Sequence, residues 1–204
     1  MIPYIIEEIV KDLPMMKIVD YHRSGDDVYA CGNKYILKVS EELSRLQQEF
    51  NKDTWVSNHI PSGKPMVFII EEGKGYYLRE YMEGDNLCEK DYLKDPYKLI
   101  DLLVEGLNII HNTKVDSHEY VVTEGYDTLI HGDYCLPNIL VKNGKISGFV
   151  DLGGAGIGDP WMDYAWCIWS LEYNLGTKEY TPLLLEKLGI EFNQEKFDKY
   201  IGVE

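Results

Sequence analysis

The sequence predicts an α+β fold in two lobes: a small, mostly β N-terminal lobe with one helix, and a mostly helical C-terminal lobe. Three observations carry this prediction. Between residues 15 and 82, short runs of alternating apolar and polar residues are separated by glycine turns, the period-two signature of strands. From about Asp95 onward, apolar residues recur at helical spacing. Between these regimes Met82-Glu83-Gly84-Asp85 ends the sheet pattern, which puts the boundary near residue 84 and the lobes at 1–83 and 84–204.

Taken in order, residues 1–12 read as a short amphipathic helix stopped near Pro14. Lys17–Tyr21, Asp27–Cys31 and Lys34–Val39 read as three strands, with turns at Ser24-Gly25-Asp26 and Gly32-Asn33. Ser40 followed by Glu41 and Glu42 suits a helix start, because carboxylates favour the positive end of the helix dipole. That helix is expected to run to about Asn58, where Pro61, Gly63 and Pro65 break it. Met66–Glu71 and Tyr76–Met82 follow as strands joined by Gly73-Lys74-Gly75. In the second half, Leu99, Leu102, Leu103, Leu107 and Ile110 form one helical stripe. Asn143-Gly144 is a hairpin turn signal between Ile139–Lys142 and Lys145–Val150. Further helices are expected over Trp161–Tyr173, Glu179–Leu188 and Asn193–Ile201.

Composition narrows the function classes. Hydrophobic residues make up 45% of the 204, enough for a packed core and too many for a disordered chain. The net charge of −15 repels nucleic-acid phosphates. It attracts cationic small molecules, or serves solubility alone. The longest apolar stretch, Tyr164–Leu171, is broken by Ser170 and is too short to span a bilayer. The N-terminus meets Glu7 and Glu8 at once and lacks the basic and apolar regions of a secretory signal. A cytoplasmic protein without a membrane role is expected. Cys31, Cys88, Cys135 and Cys167 form no Cys-x-x-Cys pair, so reduced thiols are expected rather than a zinc cluster.

The chemistry-bearing segment is Leu129-Ile130-His131-Gly132-Asp133-Tyr134-Cys135-Leu136-Pro137-Asn138-Ile139-Leu140, followed by Phe149-Val150-Asp151-Leu152-Gly153. Phosphoryl transfer needs a carboxylate to orient a hydroxyl and take its proton, oxygen ligands for magnesium, and a cation on the phosphates. Asp133 suits the first role. Asn138 and Asp151 supply the hard oxygen donors magnesium prefers. The predicted hairpin brings those two together. The pattern H-x-D-x-x-x-x-N followed by D-x-G is the catalytic signature of kinases, here with Gly132 in place of arginine, Leu152 in place of phenylalanine, and no A-P-E segment. Each residue alone would more often be a turn residue or strand-end cap; the four together at this spacing favour catalysis. The first lobe should then supply a phosphate-binding lysine. Lys38 ends the alternating strand Tyr35–Val39, and Glu49 on the next helix is placed to pair with it, with Glu41 and Glu42 as rivals. Ser24–Tyr29 lies where a glycine-rich phosphate loop would lie, but it has few glycines.

These residues resemble the aminoglycoside phosphotransferase family, most closely the 3′-phosphotransferases. His131–Asn138 resembles that family's catalytic loop nearly letter for letter, Ile146–Gly153 its metal-binding strand, and Leu188–Lys196 its last helix. The resemblance spans most of the chain and is most specific over residues 129–165. It implies a bilobal protein-kinase-like fold, ATP and Mg2+ as cofactors, and phosphorylation of a small cationic acceptor. The first acceptor it implies is an aminoglycoside at its 3′-hydroxyl, with antibiotic resistance as the outcome. Another acceptor (an amino alcohol, sugar or macrolide), or a shortened nucleotide-binding relative with little activity, stays open. By resemblance Asp133 is the base, Asn138 and Asp151 hold magnesium, and Lys38 with Glu49 binds the ATP phosphates. Ser24 and Ile36 also join the nucleotide site, and Glu80–Met82 form the hinge, with the Met82 backbone meeting adenine. Asp159 and Asp163 look like the family's supporting acidic positions, or cap the helix starting near Trp161. The chain departs from the family in three places. Ile36 stands where an aromatic stacks on adenine, and Gly154 where an arginine is common. The segment between His111 and His131 is much shorter than the family's acidic insert, and the C-terminal contact region is abbreviated, leaving Glu204 as its remnant.

Overall fold

The computed structural model describes residues 2–18, 25–115 and 119–202. Ser24 and Glu204 therefore lie outside the described residues, as does part of the strand expected over Lys17–Tyr21. The chain divides into two compact units, one of residues up to Asn58 with Ser62–Glu83, the other of His59–Pro61 with Gly84 onward.

The first unit is a five-stranded antiparallel sheet with one helix on each face. Its strands are β1 (Met15–Lys17), β2 (Asp27–Cys31), β3 (Tyr35–Ser40), β4 (Pro65–Glu71) and β5 (Lys74–Glu80), in the order β1-β2-β3-β5-β4. α1 (Tyr4–Val10) buries Ile6 and Val10 against Cys31, Leu37, Tyr76 and Leu78. The opposite face meets α2 (Leu43–Val56), where Asp53 accepts a hydrogen bond from the buried Tyr77 hydroxyl and the Phe50 and Tyr77 rings meet edge to face. Because both faces are covered, Tyr76, Tyr77 and Leu78 are buried in succession. That is why β5 departs from the alternation of a half-exposed strand.

Two strand boundaries differ from expectation for identifiable reasons. Glu71 pairs with Lys74, and Glu72 and Gly73 both have positive φ (49° and 77°). This is a two-residue hairpin turn of the kind whose twist matches the strands. It replaces the Gly73–Gly75 turn expected and moves β5 forward, to end at Glu80. Met82 thus lies past the strand, although the Tyr81 N–H still donates to Lys34 O at 2.9 Å. β1 likewise starts earlier than expected, at Met15.

The second unit is mostly helical. It contains β6 (Asp85–Asn86), α3 (Lys90–Leu93) and α4 (Pro96–His111), then β7 (Thr128–Ile130), β8 (Ile139–Lys142), β9 (Lys145–Phe149) and β10 (Gly156–Gly158). α5 (Trp161–Leu175), α6 (Thr181–Leu188) and α7 (Gln194–Ile201) complete it. Asp95 caps α4 by accepting from the Lys98 N–H at 3.2 Å, and Pro96 occupies the first turn, where its missing N–H costs nothing. The whole apolar stripe Leu99, Leu102, Leu103, Leu107 and Ile110 is buried. β6, β8 and β9 form one small antiparallel sheet, β7 and β10 another. β6 therefore extends strand pairing past Gly84, where the pattern was expected to stop. Among the described residues no helix is long and apolar enough to cross a membrane.

Candidate active site

The loop after β7 carries His131, Gly132 and Asp133, and two helices, α4 and α5, hold it. From α5, the fully buried Asp163 carboxylate accepts the His131 N–H through Oδ2 and the Gly132 N–H through Oδ1, both at 2.8 Å. The same Oδ2 lies 2.9 Å from His111 Nε2 on α4. Ser170 Oγ, further along α5, accepts the Leu136 N–H at 3.0 Å. The buried Tyr134 donates its hydroxyl to Leu103 O on α4 at 2.8 Å, over Gly106, where any Cβ would overlap that hydroxyl. Gly132 has φ of 82°, and a Cβ there would collide with the Gly154 carbonyl. This close approach explains why glycine, rather than the arginine of other kinases, stands between histidine and aspartate.

His131 is fully buried, and that burial pushes its pKa below the usual histidine value against the pull of Asp163, Asp133 and Asp151. A neutral ring also fits its contacts. Nε2 lies 3.1 Å from Val150 O, an acceptor, and Nδ1 takes the Asp133 N–H at 3.3 Å. The proton thus sits on Nε2.

The Asp133 carboxylate is held by two donors. Asn138 Nδ2 reaches its Oδ2 at 3.1 Å and its main-chain oxygen at 2.9 Å. Cys135 Sγ lies 3.1 Å from Oδ1. Burial, reinforced by the Asp133 charge, pushes the Cys135 thiol far up, so it stays protonated and donates. The expected hairpin forms around Asn143-Gly144, both with positive φ. Past its last pair, Ile139 with Phe149, the Val150 N–H bonds Asn138 O at 3.0 Å, which sets Asp151 one residue beyond Asn138's partner. Asp151 is exposed and left-handed (φ 58°, ψ 52°). This conformation is unusual for a residue with a side chain, and such strain concentrates at functional sites.

In the first unit Lys38 pairs with Glu49, and both side chains are 21% exposed. Of the rivals, Glu41 points elsewhere. The Glu41 carboxylate lies 3.5 Å from Lys74, whereas the carboxylate that meets Lys38 is that of Glu49. Ile36 is buried two residues before Lys38 on the same face of β3. Tyr77, directly opposite Lys38 in the sheet, bonds Asp53 at 2.7 Å, one turn beyond Glu49 on α2. Burial, the largest influence, lifts the Asp53 carboxyl above its ordinary value. Asp53 and Arg45 were not anticipated, although Arg45, Glu49 and Asp53 recur every four residues, the spacing of one helix face.

The two acidic residues after the hairpin differ from each other. Asp159 precedes the N-cap Pro160 of α5 and accepts the Trp161 N–H at 3.1 Å. Its Oδ2 also takes Lys196 at 2.7 Å and the Tyr126 and Tyr200 hydroxyls, each at 3.0 Å. Burial alone would raise its carboxyl, but these bonds outweigh burial and hold it below the usual range. Asp163 sits in the first turn of α5 without capping it, because its carboxylate is spent on the loop.

A β-sheet unit bearing a helix-paired lysine, followed by a helical unit bearing this aspartate–asparagine loop and hairpin, defines a kinase-like small-molecule phosphotransferase. The model of the phosphotransferase enzyme family matches residues 116–196. The probable aminoglycoside 3′-phosphotransferase of Lactococcus lactis is 29% identical, over 76% of this chain and 75% of the relative. The aminoglycoside 3′-phosphotransferase of Enterococcus faecalis is 27% identical, over 76% of each. That of Staphylococcus aureus is 26% identical over 94% of this chain and 90% of the relative, in an alignment of 244 positions. Among solved structures, aminoglycoside phosphotransferase APH(3'')-Id of Streptomyces rimosus shares the fold with a TM-score of 0.80. It is 15% identical, over 96% of this chain and 93% of that one. The chain is thus similar to the phosphotransferase enzyme family over residues 116–196, and to aminoglycoside 3′-phosphotransferases over about three quarters of its length.

Proposed function

We propose that this chain transfers the γ-phosphoryl group of ATP to a hydroxyl of an aminoglycoside, with the 3′-hydroxyl as the first candidate and antibiotic resistance as the consequence. The observation that carries the reading is the Asp133 carboxylate, fixed by Asn138 and Cys135 on a loop that Asp163, Ser170 and Tyr134 hold from behind. A base fixed in this way loses no orientational freedom in the transition state. Asp133 accepts the proton of the acceptor hydroxyl as that oxygen bonds to the γ-phosphorus. The bond from phosphorus to the β–γ bridging oxygen breaks, and ADP leaves. Lys38, held by Glu49, neutralises phosphate charge.

The donor set fits magnesium. Asn138 turns its amide nitrogen to Asp133, which leaves Oδ1 as its ligand atom, and Asp151 adds an exposed carboxylate next to Asn138's backbone partner. Both are hard oxygen donors. When bound, the ion neutralises charge on the transferred phosphoryl group. Support for the nucleotide and the acceptor comes from relatives. APH(3'')-Id, at a TM-score of 0.77, was solved with ADP and streptomycin, and APH(4)-Ia with ADP and hygromycin B. The net charge of −15 suits a cationic acceptor.

A second reading has a different acceptor, such as an amino alcohol, a plain sugar or a macrolide. Two observations favour it. The 244-position alignment with the Staphylococcus aureus relative exceeds this chain's 204 residues, so that relative carries internal residues absent here. On α5, Trp169 and Tyr173 stack at 5.2 Å and stay exposed, a flat apolar surface beside the Glu172 carboxylate. Mass spectrometry of a panel containing kanamycin and members of each other class, with ATP and magnesium, separates the readings. Asp133→Asn should lower turnover by about 10²–10⁴-fold, the usual worth of a general base. If no acceptor gains a phosphate and ADP release is no faster than in Asp133→Asn, both readings fail.

A further inference from the structure

Four side chains of alternating charge run through the β-rich unit. Asp26, just before β2, has a side chain only 1% exposed and pairs with Arg45 on α2. The same guanidinium nitrogen donates to Ser40 Oγ at 3.0 Å. The other terminal nitrogen lies 3.6 Å from Glu49 Oε2. Glu49 turns its remaining oxygen, Oε1, to Lys38. β2 closes the arrangement, because Val28, two residues after Asp26, is the cross-strand partner of Lys38.

Three carboxylates lie along this arrangement, where a polyanion is to be met. They are Asp26, Glu49 and Asp53, and the charges of Arg79, Glu49 and Lys38 all act on Asp53. A nucleotide's phosphates approaching Lys38 meet the sum of these charges. Arg45 contacts both Asp26 and Glu49, and its planar fork reaches three acceptors at once, a geometry lysine cannot reproduce. We infer that Arg45 is a positioning residue for the nucleotide: it cancels the charge of Asp26 and holds the second oxygen of Glu49, so that Lys38 keeps its attraction for phosphate. The inference rests on the reading that Lys38 binds ATP phosphates.

The charge argument makes a prediction that a merely structural ion pair does not. Breaking a structural pair from either side has the same effect, whereas a charge balance responds with opposite signs. ADP with magnesium is titrated calorimetrically into the full chain, and folding is monitored by thermal melting. Arg45→Met should weaken ADP binding about tenfold, as expected for one unit charge several ångströms away in a partly screened site. Asp26→Asn should tighten it severalfold. The double variant Asp26→Asn with Arg45→Met should return within about twofold of the unaltered chain, and Arg45→Lys should fall between the unaltered chain and Arg45→Met. The differences should shrink in high salt. If Arg45→Met does not fold because the buried Asp26 loses its pair with Arg45, the Asp26→Asn and double-variant arms still decide the matter. Equal weakening by Asp26→Asn and the double variant, or no change in either, overturns the inference. If the unaltered chain binds no ADP, the nucleotide reading falls and takes this inference with it.

Discussion

Asp163 should matter more to this fold than any other single carboxylate, and the cost of removing it can be worked from its contacts. Its side chain is fully buried and accepts two main-chain N–H groups, with His111 Nε2 as a third neighbour. Asp163→Ala orphans the His131 and Gly132 N–H groups in a site closed to water. Each buried, unsatisfied donor costs about 1–3 kcal/mol, and the lost charge-assisted bond to His111 adds a similar amount. The total is on the order of 3–9 kcal/mol, against about 5–15 kcal/mol for a whole domain. Asp163→Asn keeps one acceptor but turns an amide N–H toward a main-chain N–H, and should cost roughly half as much. Urea unfolding, followed by circular dichroism and compared with Asp151→Asn, is the assay. Asp151 is exposed, so its variant should unfold with the unaltered protein and yet lose transfer activity. An Asp163→Asn midpoint equal to that of the unaltered protein would refute the assignment of Asp163 as the anchor of the loop.

Two further outcomes follow from the geometry. Asp53 is raised from its ordinary value of 3.8, so the folded chain binds its proton more tightly than the unfolded chain does. Its stabilising contribution is therefore complete below that value and is lost as pH rises through the folded value. Urea midpoints taken from about pH 4 upward should decline over this window and flatten in Asp53→Asn; an unchanged slope would discount the burial argument. Gly132→Ala forces a positive φ on alanine and drives its Cβ into the Gly154 carbonyl. The φ term alone costs about 1–2 kcal/mol, so the variant should melt lower and turn over more slowly; a melting temperature and kcat equal to those of the unaltered protein would refute it.

Regular elements were legible where local chemistry decides them. The α4 stripe, the Asn143-Gly144 hairpin and the ends of α5 to α7 follow from spacing and turn residues, and each lies within a few residues of expectation. β6, β7 and β10 were not legible. They have two or three residues each, and β10 is Gly-Ile-Gly, whose strand form exists only because it pairs with Thr128–Ile130. The loop residues themselves could be named from the motif, and the structure brings Asp133 and Asn138 into direct contact. What stood out of reach was their support. The bonds from Asp163 to His131 and from Ser170 to Leu136 join residues 32 and 34 apart in sequence. No local period encodes a pairing of that range. Asp163 read equally well as a helix cap, since its place in the first turn of α5 is where a cap-like carboxylate belongs.

The distribution of these supports bears on how a catalytic loop and its acceptor separate. The loop's fixed contacts come from Leu103 on α4, from Asp163 and Ser170 on α5, and from the Val150 carbonyl past β9. The groups that accept or donate in these bonds are buried side chains or main-chain atoms, so the geometry of Asp133 does not depend on what the outer surface of α5 displays. Trp169 and Tyr173, on the exposed part of that helix, can therefore change identity without moving the base. Asp159 extends the same logic to the C-terminal helix, joining Lys196 and Tyr200 of α7 to Tyr126 just ahead of β7. The residues that hold the Asp133 loop are thus distinct from those displayed on the outer surface of α5. Substitutions on that outer surface should therefore leave the loop geometry intact, so under the proposed function acceptor panels and loop substitutions probe separate parts of the molecule.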